Sequence, residues 1–263
     1  MPELPEVEVK RKYIEETSLN KKIERVAAPR TRVLKNVTPA SLDKRLRGSK
    51  LVTAKRRAKF ILIGTDSGGT LLMHFGMTGD VFFHNKGENE AKYTKAEFTF
   101  TGGGALDFTD TRMFGRIALY DTQDENLIPD VAGLGPEPLD RSFTFKKFAA
   151  IVRGHNTTIH QLLMEQDLIA GIGNIYSDEI TYQAGVLPYR KTSDLGDADV
   201  RRLYDKMKWS LRKAVELDAD LDDHADVFLI PNRGKGGKCP HGHPLTSRTI
   251  GGRTSWFCPR EQK

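Results

Sequence analysis

A proline directly after the initial methionine, followed at once by a glutamate, is a pair that could do carbonyl chemistry. In Met1-Pro2-Glu3-Leu4-Pro5-Glu6-Val7-Glu8, removal of Met1 turns the Pro2 nitrogen into a secondary amine at a chain terminus. An α-amino group has a pKa of about 7.7–8.0, so a useful fraction carries a free lone pair near neutral pH. Attack of such an amine on a sugar aldehyde carbon yields an iminium that stays positively charged, and this cation labilises neighbouring C–O bonds toward elimination. Glu3 is placed to move protons as a general acid or base. The same residues also compose a helix start, with Pro5 near the first turn and Glu6 and Glu8 at its positive end; both readings can hold at once.

Other segments carry groups that suit a phosphate-rich partner. Lys59, in Arg57-Ala58-Lys59-Phe60, could hold a phosphate from the start of a strand, although a lone lysine is more commonly just surface. In Met73-His74-Phe75-Gly76-Met77-Thr78-Gly79 a glycine-punctuated turn could push Met77 outward, where a core role would be the ordinary reading. Asp110-Thr111-Arg112-Met113-Phe114-Gly115-Arg116 puts an arginine and an aromatic two residues apart, able to pair with an orphaned base and wedge a base stack. Ala170-Gly171-Ile172-Gly173-Asn174-Ile175-Tyr176 ends one helix and opens another, so free N–H groups there form an anion site to which Asn174 adds a donor; a plain tight turn is the alternative. Near the end stand Cys239, His241, His243, Cys258 and Glu261, donor types that suit zinc, with a zincless hairpin packed around Trp256 and Phe257 as the alternative.

These groups need a frame. Residues 5–18 read as a helix with Val9, Tyr13 and Ile14 toward one side. Short β-rich runs follow: Leu51–Ala54, Phe60–Ile63, Thr70–Phe75, Asp80–Phe83, Ala96–Phe100, Ala105–Phe108 and Ile117–Tyr120, with Gly68-Gly69 and Gly102-Gly103-Gly104 between candidate hairpin arms. Many short strands at this spacing suggest an antiparallel sandwich or barrel. Residues 122–140, rich in proline and glycine, read as a connector. Helical patterns then run over Phe143–Val152, Ile159–Glu165, Ile175–Ala184 and Ala198–Leu217, and a terminal hairpin turns at Gly251-Gly252.

The composition is that of a soluble globular protein: 263 residues, 38% hydrophobic and 29% charged, with no apolar run long enough to span a membrane and no secretory signal pattern. Two cysteines make no disulfide scaffold, so a cytoplasmic, nucleoid-associated location is the expectation. The net charge of +6 is unevenly spread. Lysines and arginines crowd 44–59 and 201–213 while acids gather at 216–226, a segregation that raises a polyanionic partner to stand beside the ordinary reading of a solvated face.

The stretch Pro2–Glu8 closely resembles the amino terminus of the formamidopyrimidine-DNA glycosylase family, the Fpg/Nei group of DNA repair enzymes, and its Glu-Leu-Pro-Glu-Val wording is similar to the Fpg branch. The likeness continues through the Lys59 strand (Ala58 where the family has glycine), the His74–Gly79 turn, the Asp110–Gly115 loop, the long run from Leu162 to Pro188 and the hairpin, so it covers nearly the whole chain. It implies an α+β architecture: an N-terminal antiparallel β-sandwich flanked by helices over 1–130, a linker over 131–142, a helix–two-turn–helix domain over 143–226 and a zinc-finger-like hairpin over 227–263. It also implies a bifunctional glycosylase and abasic-site lyase acting on oxidised bases in damaged double-stranded DNA, as a monomer, with DNA in the cleft between the two domains. By that resemblance Pro2 is the nucleophile and Glu3 the proton carrier. Lys59, Asn174 and Arg253 hold phosphates, and His74, Gly173 and Tyr176 belong to the same DNA-binding set. Met77, Arg112 and Phe114 fill the space left by the everted nucleotide, and Glu6 supports the proton network at the lesion.

The departures are as informative. The family's finger has four cysteines, whereas here two thiols remain, with His241 or His243 in place of the second and Glu261 in place of the fourth; a structural zinc is still expected. His160 replaces a common lysine, which would weaken a phosphate contact. Met113 stands where a second arginine is frequent. The long loop that closes over an everted purine in the Fpg branch is missing or much shortened: the last large helix runs through an acidic stretch directly to Val227–Arg233. That absence opens a second substrate class, oxidised pyrimidines or hydantoins. A non-catalytic damage binder, or a general helix–two-turn–helix nucleic-acid module, are the rivals from other classes.

Overall fold

The computed structural model describes residues 1–88 and 91–263. Its two compact units divide between Gly133 and Leu134, and Glu3–Pro5 belong with the second.

The first unit starts with α1 (Leu4–Ser18), whose Val7 and Ile14, two turns apart on one face, are fully buried. Eight strands follow: β1 (Ile23–Ala27), β2 (Leu51–Arg57), β3 (Phe60–Thr65), β4 (Thr70–His74), β5 (Gly79–His84), β6 (Thr94–Phe100), β7 (Ala105–Asp110) and β8 (Arg116–Tyr120). They form two four-stranded antiparallel sheets, ordered β1-β6-β7-β5 and β2-β3-β4-β8. Alternate residues face the shared core, Ile61 and Ile63, Leu71 and Met73, Ile117 and Leu119 from one sheet, Phe98 and Phe100, Leu106 and Phe108 from the other. Of the sandwich or barrel that strand spacing left open, this is the sandwich, and both glycine clusters do separate hairpin arms, β3–β4 and β6–β7.

Three elements were not read from sequence, β1, α2 (Pro39–Leu46) and a one-turn helix in the connector. The α2 start is a capped one, with Pro39 in the first turn and the Thr38 hydroxyl accepting from Ser41 N–H, but only Leu42 and Leu46 mark its buried face. The basic run 44–59 is therefore divided among a helix end, a strand and a turn. Several of its charges are satisfied within the chain: Arg45 by Asp121, Arg47 by Asp43, Arg56 by Glu8. After β8 comes a one-turn helix, α3 (Pro129–Ala132).

The second unit holds α4 (Phe145–Gly154), α5 (Ile159–Met164), α6 (Asn174–Gln183), α7 (Asp197–Glu216) and the hairpin β9 (Thr246–Ile250) with β10 (Arg253–Phe257). Phe143, expected inside α4, lies just outside it. Thr144 is the cap, and Phe143 packs edge-on against Phe148 as a hydrophobic staple. The core of this unit joins Leu4 to residues of all four helices, among them Phe148, Leu162, Ile180 and Leu211. From α7 the chain reaches the 3₁₀ turn Ile230–Asn232 through one short 3₁₀ turn, Asp222–His224. Among the described residues no helix is long and apolar enough to cross a membrane.

Candidate functional site

Glu3 occupies the N-terminus of α6. Its Oε2 accepts from Gly173 N–H (2.7 Å) and Tyr176 N–H (3.2 Å), and its Oε1 from Ile175 N–H (2.9 Å). The carboxylate is 1% exposed. Leu4 N–H donates to Gly171 O at 3.0 Å, which fixes the backbone immediately after Glu3. The N–H groups expected to receive a phosphate thus receive the chain's own carboxylate, for the reason that made them attractive: unsatisfied donors and the positive end of a helix dipole favour an anion. Gly173 and Tyr176 are in this way partners of Glu3. The Tyr176 ring is buried in the core, so it presents no side chain to a ligand.

The first residue of α6 reaches the hairpin. Asn174 Nδ2 donates to Thr254 O at 2.9 Å, next to Arg253. One turn further on the same helix face, Asp178 is fully buried. Its Oδ1 accepts from Ser255 Oγ (2.6 Å), and its Oδ2 from Trp256 N–H (2.9 Å) and from Arg233 Nη2 (2.6 Å) and Nε (2.9 Å). His160 Nε2 lies 3.3 Å from Asp178 Oδ1 with its ring fully buried, so His160 is part of this network and makes no phosphate contact. At the hairpin tip Gly251 (φ 56°) and Gly252 (φ 75°) both take left-handed backbone, which the two-residue turn demands. A side chain at Gly251 would also meet Gln161 Nε2 at 2.8 Å. Arg253 is thereby presented, exposed, from a rigid turn.

In the first unit two loops are latched together by Asp110. Its Oδ1 accepts from Thr78 Oγ1 (2.5 Å) and Arg112 N–H (3.1 Å), its Oδ2 from Gly115 N–H (2.7 Å). Burial alone would push this carboxyl up, but these donors overcome it and hold it below the ordinary range. Gly76 lies so close to Phe114 and Gly115 that a Cβ would sit 2.5 Å from the Phe114 carbonyl carbon. Met77 (41% exposed), Phe114 (48%) and Arg112, whose guanidinium lies over the Phe114 ring at 5.3 Å, are the side chains this latch turns to solvent.

Lys59 lies in the two-residue turn between β2 and β3, not at the first strand position. Ala58 beside it has φ 53°, the conformation for which glycine is the easy choice. Arg56 braces the turn, donating to Ala58 O (3.1 Å) and to Glu8 Oε2 on α1 (3.1 Å). His74 accepts from Gly76 N–H through Nδ1 at 3.2 Å. Burial, then the charges of Arg116 and Lys59, lower its pKa to about 4, so at neutral pH it offers a neutral ring with Nε2–H as donor. Glu6 is half-buried on α1.

The two thiols, both free and buried, are brought together. Cys239 and Cys258 Sγ and a ring nitrogen of His243 lie within 4.8 Å of one another, and Cys239, His241 and Glu261 do likewise. The buried His243 Nδ1 lies 2.8 Å from Glu261 Oε1 without hydrogen-bond geometry. Cys239, His243 and Cys258 could therefore bind a metal.

Sequence reasoning missed the groups that do the positioning: Asp110 as latch, Asp178 and Arg233 as the hairpin anchor, and the Glu8–Arg56 pair.

Comparison with known proteins agrees with this geometry. The formamidopyrimidine-DNA glycosylase N-terminal domain matches residues 1–117, and the formamidopyrimidine-DNA glycosylase H2TH domain matches residues 134–224. The formamidopyrimidine-DNA glycosylase of Pelobacter propionicus is 32% identical over the whole of both chains, and that of Moorella thermoacetica 34% identical over 99% of this chain and 92% of its own. The Lactococcus lactis FPG in complex with FAPY-dG-containing DNA superposes with a TM-score of 0.88 at 28% identity, covering 99% of this chain and all of that one. A second complex of that protein, with DNA containing an abasic site, gives the same score over 99% of each. With its two domain signatures, full-length relatives and a common fold, the chain belongs to the formamidopyrimidine-DNA glycosylase family.

Proposed function

We propose that this chain is a base-excision DNA glycosylase and abasic-site lyase that removes formamidopyrimidines and oxidised purines from damaged duplex DNA through a Schiff base on Pro2. The observation that carries this reading is the Glu3 carboxylate, buried and fixed by three backbone N–H groups directly after Pro2. Once Met1 is gone, the Pro2 nitrogen bonds to C1′ of an everted nucleotide. The glycosidic bond breaks, the base leaves with a proton, and the amine proton passes to the nearby carboxylate. Opening of the sugar at O4′ gives the iminium. Loss of a C2′ proton then expels the 3′ phosphate, loss of the C4′ proton expels the 5′ phosphate, and water releases the sugar remnant from Pro2. Lys59 and Arg253 hold phosphates, Asn174 anchors the hairpin and keeps a second amide N–H for one, and Met77, Arg112 and Phe114 fill the opened stack. Glu6 assists protons at the lesion, and the neutral His74 contributes a donor. The Lactococcus complexes with FAPY-dG and abasic-site DNA support the partner and the substrate class.

A structural zinc would sit between Cys239, Cys258 and His243, with Glu261 or His241 as fourth ligand; it would close the finger and take no part in the steps above. The reading implies a monomer in the cytoplasm, on the nucleoid. One observation favours a second substrate class, oxidised pyrimidines or hydantoins: α7 leads to the Ile230 turn with no long loop to close over a purine.

Borohydride trapping tests both readings, on duplexes carrying an abasic site, 8-oxoguanine, a formamidopyrimidine or an oxidised pyrimidine, with protein of verified amino terminus and with Pro2→Gly. A covalent adduct that the variant loses establishes the Schiff base, and the duplex trapped best names the substrate. Tight binding to abasic DNA with no adduct would leave a damage binder.

A further inference from the structure

Away from the DNA-directed loops, three metal-ligating side chains meet on the sheet β1-β6-β7-β5. Glu97 on β6 and Asp107 on β7 are directly paired across the two strands. His84, the last residue of β5, pairs with Ala105, so Asp107 is its diagonal neighbour on the same face. A nitrogen of His84 and a carboxylate oxygen from each acid all lie within 4.8 Å of one another. We propose that His84, Glu97 and Asp107 form a divalent transition-metal site, for zinc or manganese, separate from the Cys239–Cys258 cluster.

The unsatisfied atoms carry the argument. His84 is 8% exposed and Asp107 fully buried, and His84 Nε2 and Asp107 Oδ1 have no hydrogen-bond partner among the described residues. His84 Nδ1 faces Asn85 O at 3.4 Å, which suits an N–H donor there and leaves a lone pair on Nε2. That lone pair faces Asp107 Oδ2 at 3.6 Å, too long for a hydrogen bond. Ligand atoms about 2.1 Å from one tetrahedral ion stand about 3.4 Å apart, so this spacing matches a shared cation. Two carboxylates directly opposite on neighbouring strands repel each other, and burying one is costly; a cation between them, or a proton on one of them, removes that cost. Arg25 offsets part of this at Glu97 (3.3 Å), and Ala91 N–H is Asp107's backbone donor (2.8 Å). The Thr94 hydroxyl close by is turned to Ala91 O. A cavity of about 500 Å³, lined by His84, Glu97, Thr99 and Gly103, provides access from solvent. One imidazole and two carboxylates accept zinc or manganese, whereas thiolates take zinc and reject manganese.

Manganese separates the two sites. The full zinc-loaded chain is titrated with Mn²⁺ and free Mn²⁺ is followed by electron paramagnetic resonance. One bound Mn²⁺ per chain is expected, weakened at least about tenfold in His84→Ala, Asp107→Asn and Glu97→Gln. A Mn²⁺-dependent rise in Tm should be lost in the same variants. Glu97 is only half-buried, so Glu97→Gln remains informative if a buried substitution unfolds the sheet. Absence of bound Mn²⁺ together with no second equivalent of zinc would overturn the site. Binding left intact by all three variants would place the ion elsewhere and overturn it equally.

Discussion

Glu3→Gln alters one atom and almost no volume, yet it should cost stability as well as activity. The carboxylate accepts on both oxygens, from Ile175 N–H on Oε1 and from Gly173 and Tyr176 N–H on Oε2. A glutamine can offer one oxygen. Its best placement keeps the carbonyl toward Gly173 and Tyr176 and turns its NH₂ toward Ile175 N–H, donor against donor in a buried site. An unmade buried hydrogen bond costs about 1–3 kcal/mol, and loss of a negative charge at a helix N-terminus about 0.5–1 kcal/mol more, so about 3 kcal/mol in all. Both tryptophans, Trp209 and Trp256, lie in the second unit with Glu3, so urea unfolding followed by their fluorescence reads the affected region. The expected result is a lower midpoint at unchanged slope, with base excision lost more completely than lyase action on a pre-formed abasic site. A Glu3→Gln protein as stable as the parent, or more stable, would refute the reasoning, because the three N–H contacts would then be a strained arrangement kept only for catalysis.

Ala58→Gly should raise stability by about 0.5–1 kcal/mol, since relief of a left-handed alanine exceeds the entropy cost of glycine; a fall in the urea midpoint would contradict this. Asp178→Asn leaves the Arg233 guanidinium without its counter-charge and should cost about 3–5 kcal/mol. Hydrogen exchange at Trp256 N–H should accelerate with it, and unchanged protection would show that the hairpin is held by other contacts. For His74 the folded pKa of about 4 lies below the ordinary 6.5, so the folded state resists its protonation. Stability from this group is fully present above pH 6.5 and lost as pH falls toward 4, by about 3 kcal/mol at 1.36 kcal/mol per unit. His74→Gln should flatten that window in unfolding followed by circular dichroism, and an equal pH slope in both proteins would assign the loss to other groups. A short extension left ahead of Pro2 should abolish borohydride trapping while DNA binding persists; trapping that survives would move the nucleophile elsewhere.

The sandwich was legible because its strands carry alternating apolar residues and its hairpins carry glycine, signals local to a few residues. The α6 opening was legible as an anion site from Gly171 and Gly173, but the anion's identity was not, because Glu3 arrives from the other end of the sequence. Met77, Arg112 and Phe114 were singled out by the family resemblance, since a core role was the ordinary reading of Met77. Asp110, which latches their loops, reads in sequence as one more motif letter until its acceptors find Thr78 and Gly115. That His160 departs from the family's lysine was legible, but only the fold reveals that it faces Asp178 in the buried interior. β1 escaped because its five residues bury only Ile23 and Val26, three apart and off the strand period, and α2 because only Leu42 and Leu46 mark its buried face.

The hairpin that presents Arg253 is secured by the buried Asp178 hub at its base, and a metal held by the thiol and imidazole cluster would secure it a second time. A segment with two independent fastenings tolerates the weakening of either one. Mutations in the ligands of such a finger can drift, exchanging sulfur for nitrogen or oxygen, while Arg253 stays in position through Ser255 and Trp256. Removing a metal from that cluster would then loosen the tip without releasing it.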